Sequence, residues 1–172
     1  METIKYKDRS FENYLQYFQF LINELGFPDI LHFFESEFIP SGKIMLNIDI
    51  HTYNADAPTV VFVPGTSVYG LCYAEILYEI GKKGYNIIAM DPRGHGRSTG
   101  DRGNYTIEEL MEDVETVVAY AKKRFNNKVS IMGSSQGGIV SFYLAARGID
   151  VDTIICQNFA DLQWGETHTI TR

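Results

Sequence analysis

Apolar positions along this chain follow two rhythms. Phe11, Tyr14, Leu15, Phe18, Leu21, Ile22 and Leu25 recur at spacings of three and four. That period predicts an amphipathic helix, which Gly26 and Pro28 stop. Its aromatic face is rich enough to meet lipid, although packing on a core is the commoner use of such a face. Pro40 to Lys43 predicts a turn, and Ile44 to His51 then alternates loosely, as a half-buried strand does. Further on, alternation gives way to continuous apolar runs at Thr59–Val63, Asn86–Met90 and Lys128–Met132, with a fourth starting at Thr153–Cys156.

Helical patterns separate these runs. One covers Tyr73 to Lys83. Another places Leu110, Val114, Val117, Val118 and Ala121 behind a capping box, Thr106-Ile107-Glu108-Glu109. A third covers Ile139 to Arg147. Strands without alternation are covered on both faces, and intervening helices act as crossovers. Together they predict an α/β fold, a mostly parallel sheet with helices on both sides. The expected division is an N-terminal helical extension over residues 1–40 and a core domain over 41–172.

Composition narrows the function. With 172 residues the chain is long enough for one domain with a buried core. A net charge of -7 with no compensating basic block excludes nonspecific binding to nucleic acid. The short cationic clusters Lys82-Lys83 and Lys122-Lys123-Arg124 fall where helices are predicted to end, a placement that complements the helix dipole. Cys72 and Cys156 lack metal-ligand spacing and are expected as buried thiols, with a disulfide as the alternative. The N-terminus has no apolar signal core, and no apolar run approaches the ~20 residues of a membrane span. A soluble, cytoplasmic protein without metal or organic cofactor is therefore expected.

The pattern G-x-S-x-G occurs twice. Gly96-Arg97-Ser98-Thr99-Gly100 is flanked by loop on both sides, so it is read as accidental. Gly133-Ser134-Ser135-Gln136-Gly137 has a predicted strand before it and a predicted helix after it, the setting of a nucleophile elbow. Its glycines let strand and helix backbones pass without a Cβ collision. This register puts Ser135 at the apex as catalytic candidate and turns Ser134 elsewhere. Backbone N–H groups at the start of the following helix favour a developing negative charge. The candidate oxyanion donors are the N–H of Gln136 and, from the Pro64-Gly65-Thr66 loop, the N–H of Thr66. The plainer reading is a glycine-rich turn carrying a passive serine.

Three motifs in order carry a resemblance: Val63-Pro64-Gly65, Asp91-Pro92-Arg93-Gly94-His95-Gly96-Arg97-Ser98 and Gly133-Ser134-Ser135-Gln136-Gly137-Gly138. Over about residues 45 to 160, at spacings that suit one sheet, the chain resembles the α/β-hydrolase superfamily. Within it the chain is similar to monoacylglycerol lipases and lysophospholipases. Many members carry His-Gly where this chain has Pro64-Gly65; the backbone donor of Thr66 is unaffected. The resemblance implies an esterase or lipase that forms an acyl-enzyme on Ser135 and acts on a small-molecule ester or lipid. It also implies a structural role for His95, ordering its turn.

The resemblance further implies an acid and a histidine on later strands, in the order serine, acid, histidine. After Ser135 come only Asp150, Asp152, Asp161, Glu166 and His168, so the expected acid and base are missing. Asp161 with His168, or His95 alone, are the weaker substitutes. The expectation is a partial fold that stops after the strand following the nucleophile helix. Its last strand would be an exposed apolar edge, covered by a missing C-terminal segment or by self-association. The alternative function is a catalytically inactive binding or interaction protein on the same scaffold.

Overall fold

The computed structural model describes residues 9–125 and 128–158. Helix α1 (Arg9–Leu25) and a single turn, α2 (Ile30–Phe33), come first. A hairpin follows, β1 (Glu35–Ser41) and β2 (Ile44–His51). Then come β3 (Thr59–Val63), a 3-10 turn over Gly70–Tyr73, α3 (Ala74–Lys82) and β4 (Asn86–Met90). The remaining elements are α4 (Ile107–Phe125), β5 (Val129–Ser134), α5 (Gln136–Ala146) and β6 (Thr153–Gln157).

The six strands form one sheet in the order β1-β2-β4-β3-β5-β6. Pairs β3/β4, β3/β5 and β5/β6 are parallel. Pairs β1/β2 and β2/β4 are antiparallel, so the sheet is mixed, with its parallel part where the unalternating runs predicted it. Strands β3 and β4 are buried at every position, as strands between two helical layers must be. One layer packs α4 and α5 on Ile48, Val61, Ile88 and Ile131. The other packs α1, α2 and α3 on Val60, Phe62, Ile87 and Ala89.

Four local differences from the sequence reading have physical causes. Residues 35–40, placed by the sequence in the helical extension, join the sheet as most of β1, pairing with β2 from Glu35↔Ile50 to Ser41↔Ile44. Strand β2 does alternate, but its polar face is not solvated: Asn47 and Asp49 are buried beneath the loop that follows β4. The predicted helix at Tyr73 is preceded by the 3-10 turn, which carries Cys72 outward. Both cysteines are free, Cys72 exposed and Cys156 partly exposed, which corrects the expectation of buried thiols and leaves no disulfide between them.

The capping box forms as predicted. Thr106 Oγ1 accepts the Glu109 N–H at 3.1 Å, and Glu109 Oε2 accepts the Thr106 N–H at 2.8 Å. Lys122, Lys123 and Arg124 lie in the last turn of α4. Strand β6 is the final strand among the described residues, and Ile155 on it is 48% exposed. Asp161, Glu166 and His168 lie outside the described residues.

Candidate active site

Strand β5 delivers the chain to a sharp turn. Ser135 sits at its apex with φ 53 and ψ -118, and α5 starts at the next residue. A positive φ on a residue with a Cβ costs about 1–3 kcal/mol and persists only where surroundings enforce it. Here the Ser135 N–H donates to the Gln157 carbonyl at the end of β6 (2.8 Å), and the Ser135 carbonyl accepts the Ile139 N–H (3.1 Å). The other two described non-glycine residues with positive φ are Ser67 and Asn158. All three follow the carboxyl ends of parallel strands β3, β5 and β6, so backbone strain collects at one edge of the sheet.

The glycine frame has the steric role expected of it. A Cβ at Gly137 would collide with the carbonyl oxygens of Val63 and Pro64. One at Gly133 would meet the Gly137 carbonyl and Ser141 Oγ. The helix can start this close to β3 and β5 only without those side chains.

The two serines part as expected. Ser135 is exposed, whereas Ser134 is buried. Ser134 Oγ accepts a hydrogen bond from the Tyr73 hydroxyl at 3.2 Å, so it is engaged in packing. Ser98, from the first G-x-S-x-G match, is also buried. Its Oγ donates to the Asp91 carbonyl (2.6 Å) and accepts the Asn47 N–H (2.8 Å), fastening the loop to β2.

The Pro64-Gly65-Thr66 loop lies against the elbow. A Cβ at Gly65 would come 3.1 Å from Ser135 Cβ and 3.5 Å from the Ser134 carbonyl. Thr66 is exposed beside it, and Gln136, at the first turn of α5, is half-buried. Two contacts that sequence reasoning missed hold these pieces. Tyr105 donates its hydroxyl to Gln136 Oε1 (3.0 Å), and Arg102 Nη2 donates to the Ser67 carbonyl (3.2 Å). Both come from the loop between β4 and α4. Neither has periodic spacing in the sequence, so no signal marked them.

The same loop covers a buried acidic cluster. Asp49 and Asp91 share the side-chain amide of Asn47, at 3.2 and 3.0 Å. Asp91 also accepts the N–H groups of Gly70 (3.0 Å) and Arg97 (2.9 Å). Asp49 accepts Arg97 Nη2 and Ser36 Oγ, both at 2.5 Å. Burial, and then the charge of Asp49, push Asp91 up to about 7. Burial pushes Asp49 up too, against the pull of Arg97. One guanidinium faces two carboxylates, so the pair retains a proton near neutrality. A raised folded-state pKa means stability present at low pH and lost as pH rises from the ordinary value of 3.8 through about 7. His51, whose pKa burial lowers, acts in the opposite sense. A difference isolates the pair: relative to wild type, Asp49→Asn is expected to gain unfolding free energy between about pH 5 and about pH 8. A pH-independent difference in urea denaturation would contradict the shared proton.

His95 is buried, with its Nδ1 at 3.0 Å from the Arg93 carbonyl and its ring edge-on to Tyr105. It orders the turn, as the resemblance implied. Among the described residues no histidine hydrogen-bonds Ser135. His51 stacks on Phe33, and His32 pairs with Asp29.

Residues 55–159 match the family described as serine aminopeptidase, S33. The chain is 31% identical over 116 residues to a monoacylglycerol lipase of Mycolicibacterium smegmatis, covering 66% of this chain and 41% of that one. It is 33% identical over 91 residues to a bifunctional esterase/perhydrolase of Acinetobacter calcoaceticus, covering 52% of this chain and 32% of the other. In three dimensions it resembles Est1E of Butyrivibrio proteoclasticus, solved with ferulic acid bound, at TM-score 0.69 and 22% identity. That match covers 78% of this chain and 57% of Est1E. The chain thus spans less than half the length of the two sequence relatives.

Proposed function

Because this chain belongs to the serine aminopeptidase S33 family of α/β hydrolases, we propose that it is the nucleophile-bearing part of a carboxylic-ester hydrolase of esterase or lipase type. Ser135 is the nucleophile, and the N–H groups of Thr66 and Gln136 are the oxyanion donors. The observation that carries this reading is the exposed, positive-φ Ser135 at a strand-to-helix turn, with Gly65 held against its Cβ.

The chemistry follows the geometry. Ser135 Oγ attacks an ester carbonyl, and its proton passes to a base. The carbonyl oxygen becomes an oxyanion held by the two N–H groups and by the positive end of α5. The tetrahedral species collapses, the alcohol leaves with a proton, and an acyl-Ser135 ester remains for water to hydrolyse. The Gln136 N–H suits the task because the first N–H groups of a helix have no partner within it. The base in turn needs an acid that orients it. Asp161 and His168 are the candidates within this sequence.

Ester specificity, as against the aminopeptidase activity in the family's description, has a direct test. The protein is expected to hydrolyse p-nitrophenyl butyrate and to leave amino-acid p-nitroanilides intact. Among the described residues no helix is long and apolar enough to cross a membrane. Anilide cleavage without ester cleavage would overturn the assignment. Absence of both from folded protein would favour a binding module on the same scaffold.

A further inference from the structure

A cavity of about 320 Å³ lies between α1 and the segment that runs from the 3-10 turn into α3. Phe18, Leu21 and Phe27 form one wall, and Leu71, Tyr73 and Ile76 the other. Among the described residues Glu75 is the one charged residue lining it, and no lysine, arginine or histidine takes part. Such a lining rejects phosphate and carboxylate groups and favours a neutral apolar ligand. At roughly 30 Å³ per small group, the share of a water in the liquid, the volume holds on the order of ten methylenes.

Tyr73 ties this cavity to the elbow. Its ring belongs to the cavity wall, while its hydroxyl donates to Ser134 Oγ at 3.2 Å. The same hydroxyl lies 3.5 Å from where a Cβ on Gly65 would stand, beside Ser135 Cβ at 3.1 Å. Tyr73 thus touches both an apolar pocket of small-ligand size and the residue next to the candidate nucleophile. The α1 wall lies before residue 55, where the family match starts.

We propose that the cavity binds the apolar acyl chain of the ester substrate, which runs from Ser135 past Tyr73 between α1 and α3. This rests on Ser135 as the point of attack, but the binding of the chain is separable from the chemistry. The face of α1 then has two uses: Phe18 packs into the core and, with Tyr17 and Leu21, lines the acyl site.

Cys72 lines the cavity and is exposed, which provides a readout that needs no turnover. In protein carrying Ser135→Ala and Cys156→Ser, Cys72 is the one remaining thiol, and its alkylation by iodoacetamide is timed by intact mass. Glycerol monodecanoate, kept below its micelle concentration, is expected to slow alkylation at least tenfold, and glycerol monobutyrate to leave it unchanged. Ile76→Trp, which fills the cavity, should abolish the protection while keeping the same circular dichroism. Equal alkylation with and without the decanoate ester would overturn the proposal. So would equal protection by the butyrate ester, which would place the contact at the elbow instead. Protection by decanoate in a protein whose wild type shows no esterase activity would keep the acyl site and remove the catalytic reading.

Discussion

Ser135→Ala is expected to lower p-nitrophenyl butyrate turnover by about 10⁶-fold, because removing a triad nucleophile removes the covalent route altogether. The fold should survive: alanine places the same Cβ at the same strained apex, and the glycine frame is untouched. Ser134→Ala is the informative contrast. Ser134 is buried and engaged by Tyr73, so its loss removes one hydrogen bond, worth about 1 kcal/mol. Turnover should stay within about tenfold of wild type, since no atom that reacts is lost. Equal effects of the two substitutions would show that the register of the elbow has been misassigned.

Arg93→Met is expected to cost about 3–5 kcal/mol of folding stability in urea denaturation, the penalty for leaving a buried carboxylate unpaired. Asp113 is fully buried on α4. Arg93 donates to it from Nε at 2.7 Å and Nη2 at 2.8 Å. Nη2 also reaches the Glu109 carbonyl (3.0 Å), and Nη1 pairs with the Glu109 carboxylate at 2.8 Å. With Arg93 gone, Asp113 would retain only the Ser41 hydroxyl, at 2.6 Å, among these partners. Adding Asp113→Leu should restore most of the loss, because an apolar pair replaces a lone charge. A loss below about 1 kcal/mol in the single variant would mean that the pair contributes no more than an exposed ion pair does.

The site should respond as well. Arg93 anchors the loop that holds Ser67 through Arg102 and Gln136 through Tyr105. Freeing that loop loosens both flanks of the proposed oxyanion hole.

The parallel half of the fold was legible in the sequence because its signals are local. Four apolar runs, a capping box and a glycine frame each state their own conformation. The elbow was legible for the same reason: a serine between two glycines, with a strand before and a helix after, has few other uses. Strand β1 was not legible. Glu35 to Ser41 contains two glutamates and a proline, and it becomes a strand by pairing with β2 at the sheet edge. The burial of Asn47 and Asp49 was hidden for a related reason. Their cover comes from Arg97 and Ser98, about fifty residues away, and alternation alone reads such a face as wet. Tyr73, Arg102 and Tyr105 matter through single contacts with no spacing rule, so only the folded chain brings them to the elbow. Cys72 was misread because a 3-10 turn, three residues per turn, carries it outward where a continued α-helical pattern would place it inward.

The most direct test of the central claim is reaction with a fluorophosphonate, read as intact mass and then mapped to a peptide. Ser135 as an activated nucleophile predicts one adduct per chain, located on Ser135 and absent from Ser135→Ala. Folded protein that stays unmodified, or that carries the adduct on Ser134 or Ser98, would contradict it.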